Sequence, residues 1–233
     1  MTFNRDARYF HILDVDILYI NLDTQPERNQ EFLSELFDHG FSKNRLHRVS
    51  GVLNDYKDGF DSYIKALKQG LSLGKPFVIV EDDLKINQMP GPIFLSSPGF
   101  PVISAMSLSL SRYGVFDHCK FIGKFYTSYN YVIKANIQHP DIFRIFNMIV
   151  GNSVYYHDLF YVEWLINHLE DFYRAKNYIS LQTESTYKTK AGMPFDAILA
   201  FTQPFTFFTA LKIPIFYHPG ELEEVTRFNL SDI

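Results

Sequence analysis

The sequence predicts an α/β fold, a Rossmann-type mixed sheet flanked by helices and built as a single domain. Three observations carry that expectation. Over residues 1–89, short apolar runs alternate with helical patterns in βαβαβ order. Apolar residues are 46% of the 233-residue chain, enough for a large core. No repeat, charge block or low-complexity linker divides the sequence. Ring residues make up 17% of it, with 23 Phe and 15 Tyr against one Trp, so the core should be rich in aromatic contacts.

Asp16 to Ile20 has the continuous apolar character of a buried strand. Pro26 to His39 follows as a helix, with proline in its first turn and Gly40 at its end. Leu46 to Val49 reads as a second strand. From Asp61 a helix begins whose Ile64, Leu67 and Leu71 share a face and which Gly74 ends, and Pro76 to Val80 is a third strand. This order predicts a parallel, doubly wound arrangement with ligands at the strands' C-terminal ends. Met89 to Pro101, with four prolines and two glycines, reads as a turn-rich connection. Beyond it, Val102 to Leu110, Phe121 to Ile133 and Ile213 to Tyr217 suggest strands and Tyr155 to Tyr173 a helix, completing the sheet and the second wall of a cleft.

Composition narrows the partners. A formal charge of −4, from 22 Lys and Arg against 26 Asp and Glu, supplies no net basic footprint, so no stable nucleic-acid complex is expected. Cys119 is the one cysteine, which excludes an internal disulfide and a cysteine-based zinc site and fits a reducing, cytoplasmic setting. Met1 to Arg8 carries charge with no apolar stretch after it and does not read as a secretory signal. Ala197 to Leu211 lacks charge but is short and interrupted by Pro204, so it is expected in the interior and no transmembrane segment is expected.

The most informative segment is Phe77-Val-Ile-Val-Glu81-Asp82-Asp83, an apolar strand that runs directly into three acids. If strand geometry persists, Glu81 and Asp83 share a side and repel each other. Two readings stand. A hard divalent cation, Mg²⁺ or Mn²⁺, would relieve the repulsion and bind a diphosphate, or the acids would cap the following turn by accepting backbone N–H groups. The chain has no Gly-x-Gly-x-x-Gly, no phosphate loop ending in Gly-Lys-Ser/Thr, no Gly-x-Ser-x-Gly and no His-Glu-x-x-His, which weakens the common dinucleotide, P-loop, serine hydrolase and zincin readings.

Three ordered blocks, with a later strand-like stretch after them, carry a resemblance. They are Asp16-Ile-Leu-Tyr-Ile-Asn-Leu-Asp-Thr-Gln-Pro-Glu-Arg28, Phe60-Asp-Ser62-Tyr63-Ile-Lys-Ala-Leu67, Phe77 to Asp83, and Phe121 to Lys134 with its Tyr129-Asn-Tyr-Val-Ile133. In order and spacing the sequence resembles family 25 glycosyltransferases, the group that includes lipopolysaccharide sugar transferases and collagen galactosyltransferases. Tyr63 stands where that family commonly has histidine, and Asp61 where it has cysteine or glycine. The blocks fall in roughly the first 135 residues, and the remainder aligns loosely.

The resemblance implies a GT-A-like domain that takes a UDP-sugar donor, with residues 1–89 as the nucleotide-sugar half and 102–233 as the acceptor half. It implies that Asp83, with Glu81 or Asp82, holds Mn²⁺ or Mg²⁺ against the donor phosphates. Ile20, Asn21 and Leu22 would present backbone groups to the base, and Arg28 would meet phosphate or ribose unless it is an ordinary charged residue of the first helical turn. Ser62 and Tyr63 belong to the donor side by the same comparison, and His218, late in the chain, would complete the cation site or serve as a turn residue. Transfer with inversion to a saccharide or other hydroxyl acceptor needs a base, for which Asp196 is the first candidate and Asp158 its rival. Each also reads as a cap. A catalytically inactive nucleotide-sugar-binding or scaffolding protein is the competing expectation, and a nucleotidyltransferase a further one.

Overall fold

The computed structural model describes residues 8–53, 60–97, 102–109, 142–144, 153–182, 199, 202–203, 206–211, 214–217 and 219. The strands are β1 (Arg8–Phe10), β2 (Asp16–Asn21), β3 (Leu46–Ser50), β4 (Phe77–Glu81), β5 (Lys85–Ile86), β6 (Ile93–Ser96), β7 (Ala105–Ser107), β8 (Ile142–Arg144), β9 (Val154–Tyr156), β10 (Phe208–Leu211) and β11 (Phe216–Tyr217). The helices are α1 (Pro26–Asp38), α2 (Phe60–Ser72) and α3 (Leu159–Gln182). Seven of the described strands form one sheet in the order β3-β2-β4-β9-β7-β10-β8.

The N-terminal half follows the βαβαβ expectation, with β2 parallel to both β3 and β4. Every residue of β2 is buried, because its apolar side chains alternate between two cores. Leu18 and Ile20 join Phe77 and Ile79 beneath α2 and α3, while Ile17 and Tyr19 join Val78 and Val80 on the side of Phe32 and Leu36 from α1. Helices therefore cover both faces.

The sheet is mixed rather than wholly parallel. β9 runs antiparallel between β4 and β7, with Tyr156 opposite both Phe77 and Ala105. Tyr155 and Tyr156, which helical periodicity assigns to a helix, are thus in a strand, and α3 begins at Leu159. Val154 and Tyr156 fill one core and Tyr155 the other, the alternation of side-chain directions that extended backbone gives. The strand expected over Val102 to Leu110 contracts to β7. The turn-rich Met89 to Pro101 contains β6, which pairs with β1, and β11 pairs with β5 outside the main sheet. Phe121 to Ile133 lies outside the described residues. Of the uncharged stretch from Ala197 to Leu211, Leu199, Thr202, Gln203 and the strand β10 are buried. No helix among the described residues is long and apolar enough to cross a membrane.

Helix ends follow their sequence signals. At the end of α1 the N–H of Phe41 reaches the Leu36 carbonyl at 3.0 Å and that of Gly40 reaches Phe37 at 3.0 Å, with Gly40 at φ 88°. This is the paired bonding of a Schellman turn, closed by the buried Leu36 and Phe41. It returns the chain to β3 with α1 laid along the sheet, its first turn beside the ends of β2 and β4.

Candidate functional site

The C-terminal ends of β2, β3 and β4 lie side by side, and their polar residues form one connected network. Asn21 ends β2 and is 1% exposed. Its amide donates to the Gln25 carbonyl at 3.1 Å and to Asp82 Oδ2 at 2.6 Å, and its oxygen accepts from Arg48 Nε at 2.8 Å. One buried amide thus ties the turn that starts α1, the end of β4 and the adjacent β3. Asp82 is itself 8% exposed and uses its other oxygen to accept from Arg28 Nη2 at 2.5 Å. The same Nη2 lies 3.3 Å from Asp83 Oδ2.

Arg28 therefore bridges two successive carboxylates. It comes from the first turn of α1, which places its guanidinium over the end of β4. The pairing differs from the one alternation predicts. β4 ends at Glu81 and the chain turns at Asp82 and Asp83, so Asp82 and Asp83 converge. Glu81 continues the row of Phe77 and Ile79, on the opposite face from Asp82.

A second ion pair stands beside the first. Arg48 Nη2 donates to Asp23 Oδ1 at 2.6 Å, and Ser50 Oγ donates to Asp23 Oδ2 at 2.7 Å. The bonds from Ser50 and Arg48 hold the exposed Asp23 carboxyl below its ordinary pKa. Lys65 of α2 adds a bond from Nζ to the Ser50 carbonyl at 3.0 Å. Sequence reasoning missed Asp23, Arg48, Ser50 and Lys65. The signal was present in β3, where Arg48 and Ser50 flank the buried Val49 and so emerge on one side.

The remaining candidates divide by position. The carbonyls of Ile20, Asn21 and Leu22 each accept an internal N–H, from Asp82, Gly51 and Gln25 respectively. Ser62 is buried and its Oγ accepts the Val52 N–H at 2.8 Å, fastening the chain after β3. Tyr63 is 1% exposed and packed in the core beneath α2. Asp158 is not brought to the acids. Because Tyr156 pairs with Phe77, Asp158 lies beyond the start of β4, and the strand's length, about 13 Å at ~3.3 Å per residue, separates it from Asp82 and Asp83. Its Oδ1 accepts the Phe160 N–H at 2.9 Å, the bond of an N-cap on α3. Asp196 and His218 lie outside the described residues.

A different charge cluster occupies the opposite end of β2. Asp16, 4% exposed, meets His47 Nε2 at 2.7 Å, Lys75 Nζ at 2.7 Å and Arg45 Nη1 at 3.4 Å. Burial works against its ionisation, but the bonds and charges of Lys75 and His47 outweigh it and hold the carboxyl below its usual range. This cluster joins β2, β3 and the turn before β4, and it faces away from the strand ends that carry Asp82.

The chemistry of the donor set at Asp82 and Asp83 suits a hard cation. Both groups are carboxylates, the ligand type such ions prefer, and both turn toward one positive group, the Arg28 guanidinium. Among the described residues, no three His, Cys, Asp or Glu side chains gather in reach of a single metal. No family model matches the chain, and no curated protein matches it.

Proposed function

We propose that the chain is a glycosyltransferase that moves a sugar from a UDP-sugar to a hydroxyl acceptor and depends on Mn²⁺ or Mg²⁺. The observation that supports this reading best is the convergence of Asp82 and Asp83 on one positive group at the C-terminal ends of parallel strands, where α/β sheets bind ligands. In this reading the carboxylates of Asp83 and Asp82 would hold the cation, with the Asn21 amide fixing the Asp82 carboxylate in place. When bound, the cation supplies charge stabilisation to the departing diphosphate. Arg28 and Arg48 add positive charge along the same edge for the phosphates.

Transfer requires that the acceptor oxygen form a bond to the anomeric carbon while the bond from that carbon to the phosphate oxygen breaks. UDP departs with the bonding electron pair, and the hydroxyl proton passes to a carboxylate. Asp196 is the proposed base for reaction with inversion, since Asp158 caps α3 at the other end of the sheet. His218 is the proposed late ligand that completes the cation shell.

The test is mass spectrometry of the protein incubated with UDP-sugars, candidate saccharides and Mn²⁺. Product should form, should disappear on chelation, and should be absent with Asp83→Ala while that variant keeps its thermal transition. Undiminished turnover in chelated protein would remove the cation from the reading. The competing reading is an inactive nucleotide-sugar-binding protein, favoured by the burial of Tyr63 within the core at the position where the resembling family carries histidine. Calorimetric UDP binding with no transfer across the donor panel would favour it.

A further inference from the structure

Arg28 does more in this arrangement than pair with an acid. Its Nη2 sits between Asp82 Oδ1 and Asp83 Oδ2, the two oxygens that a cation would take. A guanidinium and a divalent ion cannot share that gap, because they would repel at contact distance. Asp82 is also held by the Asn21 amide on its other oxygen, a tether that does not involve Arg28. The Arg28 side chain is 39% exposed on a long flexible stem, which gives it a way out. Its Nε is shielded from solvent and makes no hydrogen bond among the described residues, so the bridging pose leaves one donor of the guanidinium unused.

From these relations we propose that Arg28 is a resident counter-ion that exchanges between the Asp82–Asp83 pair and a ligand phosphate. This deepens the glycosyltransferase reading and rests on it. A divalent cation entering between the carboxylates displaces the guanidinium, and the freed fork then offers Nε and both Nη groups to phosphate oxygens at the same strand ends. Cation and diphosphate thereby help each other. The cation releases the arginine that the diphosphate needs, and the diphosphate gives that arginine a new partner and so lowers the competition for the carboxylates. The coupling must be reciprocal, since each ligand changes the other's affinity by the same factor. While no ligand is bound, Arg28 keeps the two acids compensated.

The experiment is a titration of the full chain with Mn²⁺, followed by the electron paramagnetic resonance of the free ion, with and without UDP. A calorimetric titration of UDP with and without Mn²⁺ completes the cycle. In the wild type, each ligand should tighten the other about tenfold or more. Arg28→Gln removes the competing charge, so it should bind Mn²⁺ alone more tightly than the wild type, bind UDP more weakly, and show a smaller coupling, the remainder coming from the direct attraction between cation and diphosphate. Arg28→Lys is the second variant should Arg28→Gln fail to show a cooperative thermal transition. Its single ammonium still competes for the acids but has no fork for phosphate, so UDP affinity and coupling should fall while Mn²⁺ affinity stays near that of the wild type. Unchanged Mn²⁺ affinity in folded Arg28→Gln, or coupling undiminished from the wild type in either folded variant, overturns the exchange while leaving UDP binding standing. A wild-type protein that binds neither Mn²⁺ nor UDP overturns the exchange together with the reading beneath it.

Discussion

The Asn21 amide donates to Asp82 at 2.6 Å and so links the ends of two neighbouring parallel strands. Both residues are buried, and the other oxygen of Asp82 is engaged by Arg28. Asn21→Ala leaves a buried carboxylate short of a donor and should lower stability by about 1–3 kcal/mol, read from the urea midpoint. Asn21→Asp should cost more, since it sets a second negative charge at hydrogen-bond distance from the first. A midpoint unchanged in both variants would show that the link contributes nothing.

Gly70 and Phe77 make a second contact that substitution can probe. A methyl group on Gly70 would overlap Cε2 and Cζ of the Phe77 ring, which is fully buried between α2 and β4. Helix propensity alone favours Gly70→Ala by about 1 kcal/mol. The overlap should reverse that sign and leave a net loss of about 1–3 kcal/mol by chemical denaturation. A more stable Gly70→Ala protein would mean that the helix and strand can separate at no cost.

Asp16 predicts how stability depends on pH. Its carboxyl is held below its unfolded value of 3.8, so the folded state favours the ionised form. The resulting stabilisation is present above that unfolded value and is lost as pH falls through the lower folded value. Denaturant midpoints at pH 7 should therefore be higher in the wild type than in Asp16→Asn, and the difference should shrink on acidification below 3.8. A gap that persists unaltered at low pH would count against the ion cluster of Asp16 with Lys75, His47 and Arg45.

Asp158 and Asp83 should respond differently to the same substitution. Asp158→Ala removes the N-cap of α3 and should cost about 1 kcal/mol of stability, with UDP binding unaffected. Asp83→Ala should retain the fold and lose Mn²⁺ binding, measured by the same resonance titration. Loss of nucleotide binding in a folded Asp158→Ala protein would contradict its place at the far end of the sheet.

The first half of the fold was legible because its signals are local. Pro26 and Gly40 mark the ends of α1, Gly74 follows α2, and the unbroken apolar runs of β2 and β4 announce strands buried on both faces. The acids after β4 were legible for the same reason. β9 was not, since Tyr155 and Tyr156 satisfy a helical pattern as readily as an extended one. Only pairing with β4 and β7 fixes their backbone. The short pairings of β1 with β6 and of β5 with β11 join residues far apart in the chain and leave no periodic trace.

The sequence by itself determined that an apolar strand would end in three carboxylates and that the first helix would carry an arginine in its first turn. Tertiary structure alone decided which carboxylates converge and which basic group they meet. The strand ends at Glu81, so alternation stops there, and the turn brings Asp82 and Asp83 together beneath Arg28. It also decided that Asp158 stands at the other end of the sheet, because an antiparallel β9 carries the chain back past the start of β4. Charge pairing acts through space between residues 54 positions apart, as in Arg28 and Asp82. No local periodicity records a distance that only the closed sheet creates.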